Sequence, residues 1–213
     1  NDGLTQRTFI QAHGTSTPQN RITESHVLSK AATSFGATAI PVVAMKAFLG
    51  HSQGTAGGDQ LHLSLGVWKD GILPGITTSH AIADDVYQDG LKFQLKHEAY
   101  GKDYFDGALL NSKGFGGNNA TAVLLSPNQV MKMLKKRYSE AQISDYLVKN
   151  ADVIANAEAY NQAMIRGESL PIYKFGFNVL GGEELTVTDK EIRLPGYDIP
   201  VSLNVENEFS DLN

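Results

Sequence analysis

The chain has 213 residues, enough to bury roughly 70% of its unfolded surface in one or two compact units without disulfide or metal staples. Hydrophobic residues at 41% against 19% charged, with 21 Gly and 7 Pro, exclude wholesale disorder. A net charge of -5 has the wrong sign for generic phosphate-backbone binding, and the absence of Cys removes disulfides, thiolate zinc sites and any cysteine nucleophile.

Residues 8–12 form a short apolar run ending at Gly14, which predicts a strand followed by a loop rich in Thr, Ser and Pro. Thr23 is the expected N-cap of a helix over residues 24–35, where Val27, Leu28, Ala31 and Ala32 recur at helical spacing and Gly36 ends the run. Residues 40–45 predict a second buried strand. That stretch is broken by Pro41 and is far too short to span a bilayer, and no signal-peptide pattern opens the chain, so a soluble cytoplasmic protein without a membrane partner is expected. The first residue is Asn and a buried strand begins within ten positions, as in a fragment that starts inside a domain.

Residues 52–68 predict a deeply buried Gly- and Ala-rich helix in which Leu61, Leu65 and Trp68 share a face. Loop chemistry fills most of residues 70–104, with an edge strand expected at 91–95. Residues 108–112 and 120–125 flank "KGFGGNN" and predict a hairpin with a Gly-rich turn. Alternating strands and helices over residues 1–126 indicate an α/β layered domain. Residues 127–213 then form an extension, with helices over 128–138 and 140–166 and strand-like pieces at 172–179, 185–194 and 199–205.

His13 lies at a strand end inside "HGTSTP", where Gly14 permits a sharp turn and Thr15, Ser16 and Thr17 offer hydroxyls to a ligand. Lys46 and His51 bracket "KAFLGH" at the end of the second predicted strand, so again a His tops a strand. Each segment alone fits an ordinary structural role equally well. Two strand-end imidazoles together point to chemistry, because each can donate an N–H to a carbonyl oxygen that is becoming an enolate. Glu24 is a candidate supporting carboxylate that fixes tautomers or balances Lys46, although the helix dipole alone favours a first-turn Glu. His26, His62, His80 and His97 show no metal-ligand spacing, so no metal is implied. "GFGG" at residues 114–117 lacks the context of a dinucleotide fingerprint and reads as a mobile turn presenting Phe115.

In that order, "HGTSTPQNRITES", "MKAFLGHSQGTAGG", "GILPGITTS" and "LLNSKGFGGNNATAVLL" closely resemble the C-terminal half of β-ketoacyl-acyl-carrier-protein synthases of the thiolase-like fold, over roughly residues 8–125. The resemblance implies that His13 and His51 are the two active-site histidines and Lys46 the lysine preceding the second. It makes Glu24 part of the supporting network, Phe115 the gating phenylalanine, and Thr15 and Thr17 the hydroxyls that hold a pantetheine arm. It further implies one α-β-α half of a five-layer sandwich, a homodimer, acyl carrier protein as partner, and substrates on phosphopantetheine of that carrier or on CoA, with no other cofactor. The reaction implied is decarboxylative Claisen condensation of an acyl thioester with a malonyl thioester in fatty-acid or polyketide synthesis.

The family's nucleophilic Cys belongs to the N-terminal half, and this chain has none. The chain by itself is therefore expected to be inactive. The competing reading is a non-catalytic, synthase-like subunit that shapes a partner's pocket; retention of His13, Lys46 and His51 favours the enzyme. A thiolase is weaker, since its C-terminal half needs a catalytic Cys. Primer choice and the role of the extension are not legible at this level.

Overall fold

Residues 8–11 (β1, Thr8–Gln11) are buried at all four positions, the pattern of a strand covered on both faces. The computed structural model describes residues 6–114, 116–168, 176, 179–181 and 184–204. β1 lies at the centre of a five-stranded sheet in the order β4-β2-β1-β6-β7, with β2 Ala39–Val43, β4 Gly90–Phe93, β6 Gly107–Lys113 and β7 Asn119–Leu125. The first four strands in that order are parallel, and β7 pairs antiparallel with β6 as the expected hairpin. The expected edge strand is β4.

Strand alternation sends neighbouring side chains to opposite faces, and each face meets a different helix. On one face Ile10, Ile40, Val42 and Leu91 pack with Leu28 and Ala32 of helix α1 (Pro18–Ser34). On the other, Phe9, Val43 and Ala108 pack with Val67 and Trp68 of helix α3 (Ala56–Asp70). A sheet between two helical layers results, as the alternating sequence pattern requires. A one-turn helix, α2 (Lys46–Leu49), precedes α3, and a two-stranded antiparallel ladder joins β3 (Ile72–Leu73) to β5 (Glu98–Ala99).

Two helices differ from expectation. α1 begins at Pro18, with Thr17 at the N-cap, not after Thr23. Proline's fixed φ and missing N–H suit the first helical position, and Thr23 instead donates its hydroxyl to Gln19 O at 2.9 Å inside the helix. α3 begins at Ala56 after a 3₁₀ turn, Gln53–Thr55, and buries Ala56, Gln60, Ser64, Val67 and Trp68. Leu61 and Leu65, expected inside, are 39% and 47% exposed. The polar Gln60 wins the inner face because its amide bonds three strand-end carbonyls described below.

The chain divides into two compact units, Asn1–Leu147 and Val148–Asn213. The first includes α4 (Pro127–Arg137), whose N-cap Ser126 accepts from Gln129 N, and the start of α5 (Glu140–Ile165). The second contains the rest of α5 and a three-stranded antiparallel meander of β8 (Thr186–Val187), β9 (Glu191–Arg193) and β10 (Val201–Ser202). The predicted strand at 172–179 falls largely outside the described residues. Among the described residues no helix is long and apolar enough to cross a membrane.

Candidate active site

The C-terminal ends of β1 and β2 lie side by side, with Ile10 opposite Val42 and Gln11 opposite Val43, and the Ala12 amide donates to Val43 O at 2.8 Å. His13 follows the first strand and the segment with Lys46 and His51 follows the second. Their loops approach so closely that only glycine fits at position 14: its φ is +60°, and a Cβ there would sit 2.6 Å from Ala44 Cβ. The His13 and His51 rings meet edge to face, with centroids 5.3 Å apart and planes at 80°.

His13 is buried, and its Nδ1 has no hydrogen-bond partner among the described residues. Burial, then the nearby Lys46 charge, hold its imidazole below the ordinary range, with Glu24 opposing. A neutral ring at neutral pH follows, the form that can donate to a developing oxyanion. His51 is more open. Its Nδ1 accepts from Gln53 N at 3.0 Å, which places the proton of the neutral ring on Nε2 and leaves that N–H free to donate. Gln53 adopts a left-handed φ of 62° to reach it. Lys46 Nζ is buried without a hydrogen-bond partner among the described residues, and burial pushes its ammonium down, against Glu24 and Asp59.

Glu24, buried on α1, does not touch either imidazole. Its Oε1 accepts from His13 N at 2.7 Å and Asn111 Nδ2 at 2.5 Å, and its Oε2 from Gly14 N at 3.0 Å and Asn20 Nδ2 at 3.1 Å. The carboxylate is thus a buckle on the backbone of the His13 loop, in place of the tautomer-fixing contact considered from sequence. Behind it, Gln60 Nε2 donates to Ala12 O and Asn111 O, both at 2.9 Å, and to Gln11 O at 3.3 Å. Its Oε1 accepts from Ser112 at 3.1 Å.

Lys46, His51, Thr15 and Glu24 line one cavity of about 560 Å³. Thr17 occupies the N-cap position of α1 without a side-chain capping bond and does not line the cavity. Phe115 lies outside the described residues. Of the remaining histidines, His26 packs on Tyr87 with ring centroids 4.6 Å apart, and His97 accepts from Gly75 N at 3.2 Å; both roles are structural. Sequence reasoning missed Asn20, Gln53, Gln60 and Asn111. The available signal was polar residues interrupting otherwise apolar runs, as Asn111 does in "ALLNS".

Residues 5–80 match the family described as Beta-ketoacyl synthase, C-terminal domain. Over these residues the chain is similar to the C-terminal domain of β-ketoacyl synthases. It is 41% identical over 211 residues to the beta-ketoacyl-[acyl-carrier-protein] synthase FabY of Pseudomonas aeruginosa, covering 99% of this chain and 33% of that protein. The crystal structure of that noncanonical ketosynthase superposes with a TM-score of 0.76 at 40% identity, over 98% of this chain and 33% of the other. The 3-oxoacyl-[acyl-carrier-protein] synthase 2 of Vibrio harveyi is 31% identical over 119 residues, 56% of this chain and 28% of its own length. The synthase domain and its extension together therefore correspond to about one third of FabY, and the extension is shared with that protein. The α-β-α layering is the thiolase-like fold of these ketosynthases.

Proposed function

We propose that this chain supplies the histidine-bearing half of a β-ketoacyl-acyl-carrier-protein synthase that carries out decarboxylative Claisen condensation. The observation that carries the reading is the pair of strand-end imidazoles, His13 and His51, with ring centroids 5.3 Å apart and the second held as an Nε2–H donor. In the reaction a cysteine thiolate, which must come from sequence outside these 213 residues, holds the primer acyl group as a thioester. The malonyl thioester loses CO₂, and the electron pair of the broken C–C bond forms an enolate whose oxygen accepts hydrogen bonds from His13 and His51. The enolate carbon attacks the acyl-Cys carbonyl, the thiolate leaves, and a β-ketoacyl thioester lengthened by two carbons remains on the carrier.

Lys46 contributes a fixed positive charge beside the forming anion, and Thr15 and Thr17 hold the pantetheine arm. The substrates arrive on the phosphopantetheine of an acyl carrier protein or on CoA, no further cofactor takes part, and the assembled enzyme is a cytoplasmic homodimer. Supporting this are the carrier-protein synthase names of the relatives and retention of all three charged or imidazole positions in the motifs. The open Leu61 and Leu65 face of α3 is where the complementary half would pack.

The test is condensation by the 213-residue chain alone and by the chain combined with a cysteine-bearing N-terminal half. We expect no β-ketoacyl product from the chain alone and product from the pair. In the pair, His13→Ala and His51→Ala each lower turnover by about a hundredfold to a thousandfold. Wild-type turnover after either change refutes the assignment and favours a synthase-like, non-catalytic subunit.

A further inference from the structure

His13 follows β1 directly and its amide is held by Glu24, whereas His51 lies in an exposed segment beyond α2. That segment runs from Gly50, whose φ is 72°, to Gly54, and glycine at both ends leaves the residues between them free to swing. Side chains, in place of the sheet, must therefore fix where the Nε2–H of His51 points. The bond from Gln53 N to the ring Nδ1 lies inside the same loop, so it orients the ring only relative to that loop.

The loop is fastened from outside at Ser52. Its hydroxyl donates to Asp59 Oδ2, and its carbonyl accepts from Thr55 Oγ1 at 3.0 Å. Both partners belong to the start of α3, Thr55 as its N-cap and Asp59 in its first turn. An N-cap Thr ordinarily turns its oxygen to the amides of its own helix, but Thr55 makes no such bond and reaches back to the loop instead. The helix dipole favours a carboxylate in the first turn, and a charged acceptor strengthens the bond from Ser52. Gln60, the next residue, donates to Ala12 O at 2.9 Å. Two adjacent residues of α3 thus grip the residue after His51 and the residue before His13. The Asp59 carboxylate also acts on the charge of Lys46, with no hydrogen bond between them among the described residues.

We propose that Asp59 is a positioning residue for the condensation: through Ser52 it anchors the His51 loop to α3 and, beside Gln60, sets the separation of the two imidazoles. The effect on turnover rests on the reading of His51 as a condensing histidine; the anchoring does not. A loop released from α3 keeps both rings but lets the second N–H drift from the enolate oxygen, and a misplacement of about 1 Å can cost about a hundredfold in rate.

A double-mutant cycle in the assembled enzyme, paired with nuclear Overhauser spectra of the 213-residue chain, is the experiment. Ser52→Ala and Asp59→Ala are each expected to lower kcat by about tenfold to a hundredfold while changing KM by less than about twofold. The double variant is no slower than the slower single one, because the two groups act as a unit. Asp59→Asn keeps a side-chain oxygen without the charge and recovers turnover to within about threefold of the unaltered enzyme. In the spectra, cross-peaks between the His13 and His51 ring protons are present in the unaltered chain, whose ring centroids lie 5.3 Å apart, and fade in both alanine variants. Should Asp59→Ala fail to fold by circular dichroism, Ser52→Ala, at an exposed position, carries both measurements. Losses that multiply in the cycle, or undiminished ring-to-ring cross-peaks in Ser52→Ala, overturn the proposal. Asp59→Asn as slow as Asp59→Ala also overturns it, by assigning the effect to the charge on Lys46. If His51→Ala leaves turnover intact, the condensing reading fails, and the ring-to-ring cross-peaks alone still decide the anchoring.

Discussion

Asn111 donates its side-chain amide to Glu24 Oε1 at 2.5 Å across 87 positions of sequence, and the same oxygen accepts the backbone amide of His13. The hairpin strand β6 is thereby tied to the loop that carries the first histidine. Glu24 takes four donors and offers none, which requires an acceptor at both oxygens. Glu24→Gln keeps the shape but turns one oxygen into a donor facing donors. The change is expected to destabilise the chain by about 1–3 kcal/mol in urea unfolding and to lower turnover of the assembled enzyme more than its affinity for substrate. Unaltered stability sinks this account of Glu24.

The imidazole of His13 is held below its ordinary value of 6.5, first by burial and then by Lys46. Between the folded value and 6.5 the unfolded chain binds the proton that the folded chain refuses, so stability rises with pH across that window. This contribution is complete above 6.5 and is lost as pH falls through the folded value. Urea midpoints compared at about pH 7.5 and about pH 5.5 are expected to fall less in His13→Gln than in the unaltered chain. Equal falls would show that His13 titrates normally.

Gly14 separates the two histidine loops by the width of one absent methyl group. Gly14→Ala is expected to lower stability by about 1–3 kcal/mol, from both its left-handed φ and the contact with Ala44. Ala44→Gly in the same chain should restore only the contact part, leaving about 1 kcal/mol from the backbone. Complete rescue, measured by denaturant midpoint, would show that strain at residue 14 is absent.

Trp68 buries its ring against Phe9 and donates Nε1–H to Phe105 O at 2.8 Å. Trp68→Phe leaves that carbonyl unmatched in the core, an expected loss of about 1–3 kcal/mol. Leu61→Ala and Leu65→Ala, on the open side of the same helix, should each change the stability of this chain by about 0.5 kcal/mol or less. Thermal unfolding of the three variants orders them, and comparable losses for all three would contradict the burial pattern.

These contrasts mark what the sequence made legible. Apolar runs located β1 and β2 because a strand buried on both faces leaves a continuous hydrophobic signature, whereas β6 and the largely exposed β7 were marked by the Gly-rich turn between them. His13, Lys46 and His51 stood out because glycines and strand ends framed them. The inner face of α3 was misread, since hydrophobic periodicity favours Leu61 and Leu65, and a helix that buries Gln60 and Ser64 against strand-end carbonyls breaks that rule. Thr17 and Pro18 carry the true start of α1, and Thr23, which also precedes an apolar repeat, offers a second N-cap pattern that the fold leaves inside the helix. Glu24 was noticed and its partners were not, because they are backbone amides and an Asn far along the chain.

The Ala12–Val43 hydrogen bond is the last rung of the β1–β2 ladder before the two loops part. His13 stands one residue beyond it and inherits the stiffness of the sheet, whereas His51 follows α2 and Gly50 in an exposed loop. Deuterium uptake at the Ala12 amide therefore acts as a clock for the footing of His13: while that rung stays shut, the first ring keeps its place at the strand end, and any change in the ring separation is a movement of the His51 loop.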